Sequence, residues 1–211
     1  MIFSIGHSNH DYEAFLALLR SAGIGTIADV RSVPYSRRVP HFNLQRLSGQ
    51  LERDGIGYCY VGQELGGRPN DPELFRDGRA DYERMAARPS FAHGLMLLLS
   101  HAPSRTAMLC SERDPLDCHR CLLVGRALAA GGVRVGHIRH DGTIESHAST
   151  ERRLLEVPDA QERDLFTTGQ DERLAAAYRR RARAVAYRLN SAKAANRAPD
   201  KRTTTAVKKS R

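Results

Sequence analysis

Three of the four cysteines in the chain, Cys110, Cys118 and Cys121, fall within twelve residues, in the string Cys-Ser-Glu-Arg-Asp-Pro-Leu-Asp-Cys-His-Arg-Cys. Beside the thiols this string supplies a carboxylate at Glu112, an imidazole at His119 and a guanidinium at Arg120. Those are the groups that nucleophilic and acid–base catalysis use. Asp117 reads as the N-cap of a helix running to Ala130, which places Cys118, His119 and Arg120 in the first turn. A thiol there has its thiolate favoured by unpaired backbone N–H groups and by neighbouring cations. The same N–H groups, with Arg120, could instead hold a phosphate or a carboxylate. The plain alternative makes Cys110 a small buried residue closing a strand and turns Cys121 into the helix–sheet packing. A metal is the rival for the cluster, because Cys110, Cys118, His119 and Cys121 offer soft donors and His7 or His137 could add nitrogen. The spacing Cys-x7-Cys-His-x-Cys matches no common zinc pattern, and no second Cys-x2-Cys pair exists. No residue is therefore assigned as a metal ligand, and no cofactor is named.

A second group is Arg31 with Ser36, Arg37 and Arg38, donors on one loop that suggest an anionic substrate such as a phosphate or nucleotide. A solvated arginine-rich loop is the plainer reading. Gly66-Gly67 permits close backbone approach to a ligand, and Asp29 could hold an arginine or act as a base.

These residues need elements to bring them together. Ile2–Ile5, Thr26–Val30, Tyr58–Val61, Thr106–Leu109 and Val133–Ile138 read as short strands, and helical spacing fills the segments between them. Gly62–Gly78 reads as a long loop. The connections are too long for hairpins. The alternation predicts an α/β fold: a single three-layer, Rossmann-like domain with a mostly parallel five-stranded sheet. Ligands of open parallel sheets bind outside the carboxyl ends of the strands. Every strand here leaves into groups able to do chemistry. They are His7 and Asn9; Asp29, Arg31, Ser36 and Arg37; Gly66 and Gly67; Cys110, Glu112, Cys118, His119 and Arg120; and His137.

The charge is divided. From Arg173 onward there are 13 Lys/Arg and one acid, giving +12, and the remaining 20 basic and 23 acidic residues give −3. All four lysines lie at position 193 or later, so the body holds no Walker A lysine and no Schiff-base lysine. The N-terminus lacks the pattern of a signal peptide, and the longest apolar run, Leu95–Leu99, is far short of the roughly 20 residues of a membrane span. A cytoplasmic protein with reduced cysteines and no membrane partner is expected.

The domain is expected over residues 1–157, followed by a linker at 158–170, a basic amphipathic helix at 171–198 and a disordered basic tail at 199–211. The helix would turn Leu174, Tyr178, Ala182, Val185 and Leu189 to one face. Arg179, Arg180 and Arg183 would lie opposite, and with Lys208 and Lys209 they could contact nucleic-acid phosphates.

Several strings in order resemble one family: Ile5-Gly-His-Ser-Asn9, Asp29-Val-Arg-Ser-x-Pro34, Leu65-Gly-Gly67, Cys110-x-Glu112, Asp114-Pro115, Cys118-His-Arg120 and His137-Ile138. They resemble the DUF488 family, a domain of unknown function, over roughly residues 1–157. The resemblance implies a compact α/β domain in which these strings belong to the shared pattern, and it supplies no reaction. The Asp-Val-Arg string also resembles the opening strand of rhodanese domains. Neither Cys110 nor Cys118 begins a Cys-x5-Arg loop, since positions 116 and 124 are Leu116 and Val124, so rhodanese or cysteine-phosphatase chemistry is disfavoured.

The expected function is an enzyme that binds a small phosphate-bearing or nucleotide-derived ligand at the strand carboxyl ends. Arg31, Arg37 and Arg120 would hold the anion, Cys118 or Cys110 would be the nucleophile, and Glu112, His7 or His119 would move protons. One alternative is a non-catalytic, nucleic-acid-associated module located by its basic tail. The other is a metal-binding domain using the Cys110–Cys121 cluster.

Overall fold

A computed structural model of the chain describes residues 1–158 and 169–189. Strand β1 (Ile2–Gly6) is buried along its whole length, as the centre of a two-faced sheet requires. Helix α1 (Tyr12–Ser21) begins where the Asp11 carboxylate accepts a 2.7 Å bond from the Ala14 N–H. There follow β2 (Thr26–Asp29), α2 (Leu44–Arg53), β3 (Gly57–Tyr60) and the single turn α3 (Gly62–Leu65). A small hairpin, β4 (Phe75–Arg76) and β5 (Arg79–Ala80), leads into α4 (Tyr82–Ala86) and α5 (Pro89–Ser100). Next come β6 (Thr106–Cys110), a π-helical stretch at Arg120–Gly125 that runs into α6 (Arg126–Ala130), and β7 (Val135–Ile138). β8 (Ile144–Ser146), α7 (His147–Glu156) and α8 (Gln170–Val185) complete the described chain.

The main sheet runs β3-β2-β6-β1-β7-β8, parallel throughout except that β8 pairs antiparallel with β7. It therefore has six strands among the described residues, not the five expected. The sixth escapes sequence reading because it is three residues long and leaves Ile144 46% exposed, so no apolar run marks it. The Gly62–Gly78 stretch expected as a loop instead holds α3 and most of the hairpin, which turns at Asp77-Gly78 with both residues at positive φ.

Side chains alternate between the two faces of the sheet. Phe3, Ile5, Ile27, Ala107 and Leu109 join Phe15, Leu19, Leu47 and Leu51 under α1 and α2. Ile2, Ala28, Met108 and Cys110 join Leu98, Leu122, Leu123 and Tyr178 on the other face. Each fully buried Leu or Phe in these layers contributes about 1.5–3 kcal/mol.

The expected helix at 171–198 stops at Val185. Ala186 takes an extended conformation, and the chain returns to the hairpin: Ala80 N–H donates to Tyr187 O at 2.9 Å and Leu189 N–H to Gly78 O at 2.9 Å. The open edge of β5 offers backbone groups that outweigh continued helical spacing. Ala177 and Tyr178 are buried, with Leu174, Ala182 and Val185 packed on the core, so α8 is part of the body's packing. Positions 190–198 and the tail, with Lys208 and Lys209, lie outside the described residues. So does most of the linker expected at 158–170.

Candidate active site

The parallel register sets Gly6 beside Cys110, so the exits of β1 and β6 share one edge. A Cβ at position 6 would sit 1.8 Å from the Glu112 carbonyl oxygen; only glycine lets the 111–113 loop fold back over β1. Beyond that loop the Asp114 carboxylate caps a 3-10 turn, Pro115–Asp117. Cys118 is then extended at φ −139°, and its carbonyl accepts the N–H groups of Cys121 and Leu122. Cys118, not Asp117, is thus the N-cap of the following helix, and its sulfur accepts the Arg120 N–H at 3.4 Å. The helix begins with the π-helical stretch, a winding frequent at functional sites.

Four side chains converge here. The sulfurs of Cys110 and Cys118 each lie 3.0 Å from the same oxygen, Oε2 of Glu112. His119 Nδ1 faces both, 3.7 Å from Cys110 and 3.8 Å from Cys118. Its Nε2 lies 2.9 Å from the Val30 carbonyl, an acceptor, so Nε2 carries a proton. Arg120 is fully buried and donates from Nη1 to Glu112 O at 2.6 Å and from Nη2 to Arg113 O at 3.1 Å. Its Nε has no hydrogen-bond partner among the described residues.

Protons can be counted. If both thiols donate to Glu112, the Nδ1 lone pair of His119 is buried between two sulfurs with no donor. Moving the Cys118 proton to His119 supplies that donor: both imidazole nitrogens then donate, and the Cys118 thiolate accepts from Cys110, His119 and the Arg120 N–H. The electrostatics agree. Burial opposes ionisation of Cys118, but the hydrogen bond from Cys110 and the charges of Arg120 and His119 outweigh it and hold its pKa well below the thiol range. Burial and the neighbouring Cys118 push Cys110 well up, and the same two causes raise Glu112. Burial opposes the charge on His119, yet Cys118 more than compensates and raises its pKa.

The Asp29–Arg31 segment forms a second buried unit. Arg31 Nε lies 2.9 Å from Asp29 Oδ1 and Nη2 lies 2.5 Å from Oδ2, while the Tyr58 hydroxyl donates to Oδ2 at 2.7 Å. Arg31 Nη1 is 3.3 Å from His7 Nε2, and His7 Nδ1 bonds to Ser8 O at 2.9 Å. The His7 ring stacks on Phe42 with centroids 4.4 Å apart. Burial and then Arg31 pull its pKa down to about 4, so it is neutral at physiological pH. Arg31 is thus paired with Asp29, Asp29 accepts from both Arg31 and Tyr58, and His7 Nε2 faces Arg31 Nη1. Arg120 is likewise committed, to two loop carbonyls.

A cleft of about 120 Å³ opens onto the thiols, bounded by Arg31, Arg68, Tyr82, Ser111, Asp117 and Tyr187 together with Cys110, Glu112, Cys118 and His119. Gly67 lines it as well, but its smallness serves His119, whose Cγ would lie 2.7 Å from a Cβ there. A Cβ at Gly66 would strike Gly62 O and Ser32 Oγ, each at 2.3 Å. Asn9 is exposed and accepts from the Ser8 hydroxyl. Ser36 builds its own turn, its N–H donating to Asn43 and its hydroxyl accepting from Arg38 and Val39, and Arg37 is exposed. None of these three lines the thiol cleft. Sequence reasoning did not point to Tyr82 or Tyr187, and it placed Arg68 and Ser111 at strand exits without selecting them. Ser111, between Cys110 and Glu112, is the one whose neighbours could have marked it.

His137 lies elsewhere, in a buried chain: Ser4 Oγ to His137 Nδ1 at 2.7 Å, His137 Nε2 to His147 Nδ1 at 3.0 Å, and His147 Nε2 to Tyr178 Oη at 3.0 Å. Tyr178 donates to Glu151 at 2.9 Å, which orients every proton in the chain back to Ser4. Among the described residues two groups could hold a metal: Cys110, Cys118 and His119, and separately Cys121, His137 and His147, the ligand atoms of each within 4.8 Å. The four donors gathered by sequence are therefore split, because the helix turns Cys121 to its other side. Arg179, Arg180 and Arg183 line a third place, a basic cavity beside α8.

The fold and site define an α/β protein with a buried cysteine–histidine–carboxylate cluster at the carboxyl edge of a mostly parallel sheet. The family model described as "Domain of unknown function DUF488" matches residues 11–127, more than half of the 211-residue chain, and the chain belongs to this family. His7 and His137 fall outside the matched segment, whereas the whole thiol cluster falls within it. Nothing among curated proteins and nothing among solved structures matches the chain. No helix among the described residues is long and apolar enough to cross a membrane.

Proposed function

We propose that this protein is a cysteine-dependent enzyme in which the Cys118 thiolate attacks the electrophilic centre of a small polar substrate. The carrying observation is the position of His119 Nδ1, which faces both sulfurs while Nε2 is held by Val30 O. The thiolate–imidazolium pair gives each imidazole nitrogen a proton and an acceptor, sulfur for Nδ1 and Val30 O for Nε2. In the step envisaged, the sulfur forms a bond to the substrate, the bond to the leaving group breaks, and the leaving group takes the proton from His119 Nδ1. Water or a second acceptor then displaces the sulfur. Glu112, its pKa raised, is placed to receive that acceptor's proton. A cleft of about 120 Å³ admits only the reacting end of a substrate. The adjoining cleft of about 540 Å³, sharing Ser32, Arg68 and Tyr187, suits the remainder. Arg68 lies 5.2 Å over the Tyr187 ring at this junction, and an anionic or phosphate-bearing substrate fits that cation. Four free cysteines fit a reducing compartment such as the cytoplasm.

The test is the pH–rate profile of alkylation by iodoacetamide, with adducts mapped by mass spectrometry. Cys118 is expected to react with an apparent pKa below the ~8.5 of an ordinary thiol. Cys59, whose pKa burial pushes up to about 11, serves as the internal control. Equal rates at Cys118 and Cys59 at neutral pH would overturn the proposal.

A second reading has its own observation. A ligating imidazole typically fixes its remote N–H on a carbonyl, as His119 does on Val30, and Cys110, Cys118 and His119 present three soft donors within 4.8 Å. Elemental analysis decides between the two. One transition-metal ion per chain, lost in Cys110→Ser, would replace the nucleophile with a metal centre.

A further inference from the structure

A cavity of about 370 Å³ lies between the β4–β5 hairpin, α4, α6 and α8. Its wall carries six guanidinium groups: Arg76 and Arg79 from the hairpin, Arg126 from α6, and Arg179, Arg180 and Arg183 from α8. Two carboxylates face them, Asp81 and Glu83. Asp81 binds Arg76 at 2.9 Å, and Glu83 is shared between Arg126 at 3.8 Å and Arg179 at 3.6 Å. Arg126 also lies 4.7 Å over the Tyr178 ring, which holds its guanidinium at the wall.

Three of the six come from residues 1–172, which are net acidic, and three from α8, in the basic part of the chain. Like charges gathered in a concavity repel one another unless a counter-anion occupies it. Arginines from three elements line this one space, Arg79 donating from Nη1 to Ala184 O at 3.2 Å, and guanidinium groups suit the paired oxygens of phosphate groups. We infer that this cavity binds an oligophosphate, either inorganic or the phosphate chain of a nucleotide. The site is separate from the cysteine cluster and does not depend on the reading given to it, although Tyr82 lines both spaces. Of the α8 arginines that line it, Arg179 and Arg183 are exposed, and Arg179 reaches Glu83 at 3.6 Å.

The test is titration calorimetry of the full chain with tripolyphosphate, ATP and sulfate at matched ionic strength, on the wild type and on Arg179→Ser/Arg183→Ser. Both replaced side chains are exposed, and unchanged circular dichroism and melting confirm the fold of the variant. Tripolyphosphate is expected to bind one-to-one, and the double variant about ten-fold or more weakly. Binding of ATP as tight as that of tripolyphosphate supports a nucleotide source, and a clear preference for tripolyphosphate supports an inorganic one. Equal binding by the double variant would show that the basic residues beyond 189 carry the affinity and overturn the inference. Sulfate binding as tightly as tripolyphosphate would also overturn it. A labelled 20-nucleotide single strand supplies the last arm: if the strand binds through these arginines and tripolyphosphate fails to displace it, the cavity is a nucleic-acid contact instead.

Discussion

Gly67 lies so close to His119 that a Cβ at position 67 would meet the imidazole Cγ at 2.7 Å. The imidazole cannot retreat, because Val30 O holds Nε2 from behind. Backbone from the β3–α3 side thus sets the distance between His119 and the two sulfurs. Gly67→Ala is expected to destabilise the protein by about 1–3 kcal/mol and to raise the apparent pKa of Cys118 alkylation. Urea melts and the alkylation profile check the two effects separately. A variant that loses stability and keeps the wild-type profile would remove the positioning role.

Asp29 and Arg31 are both buried, so removing one strands the other. Asp29→Asn is expected to cost about 3–5 kcal/mol. Asp29→Asn/Arg31→Met should recover part of that loss, and Tyr58→Phe, which removes one hydrogen bond, should cost about 1 kcal/mol. A double variant less stable than the sum of its parts would contradict the pairing.

Arg120 places a buried positive charge beside Cys110, Glu112 and Cys118. Arg120→Met removes two charge-assisted bonds to loop carbonyls and is expected to cost about 3 kcal/mol. Cys118 alkylation in the surviving folded protein should shift toward the profile of an ordinary thiol.

His7 sets a pH limit on stability. Its folded pKa, about 4, lies below the unfolded value of about 6.5, so protons bind the unfolded chain preferentially. The contribution is complete above pH 6.5 and is lost as the pH falls from 6.5 through 4. Melting temperatures measured across that window should fall less steeply in His7→Gln. His137 and His147, whose pKa values are also lowered, will leave a residual slope.

The parallel strands were legible because β1, β2, β6 and β7 are buried on both faces and read as short apolar runs. The carboxyl edge of the sheet followed from that alone, and Cys110, Glu112, Cys118 and His119 do meet there. Cap preference misled at the helix start. Asp117 outranks cysteine as a cap, yet Asp114-Pro115 forms a 3-10 turn first and hands the cap to Cys118. The commitment of Arg31 to Asp29 was readable in principle, since residues two apart at a strand end point the same way. Tyr82 and Tyr187 carried no local signal, because α4 and the segment after α8 reach the cleft only through tertiary packing.

The return of residues 186–189 to the hairpin sets where the protein can be shortened. A version ending at Gly169 would lose more than positive charge. It would excise buried Tyr178, uncover the layer beneath it, and remove the cleft wall that Tyr187 and Val185 provide. An affinity tag or a protease site therefore belongs beyond Leu189, and a truncation made there separates the role of the terminal lysines from the integrity of the body.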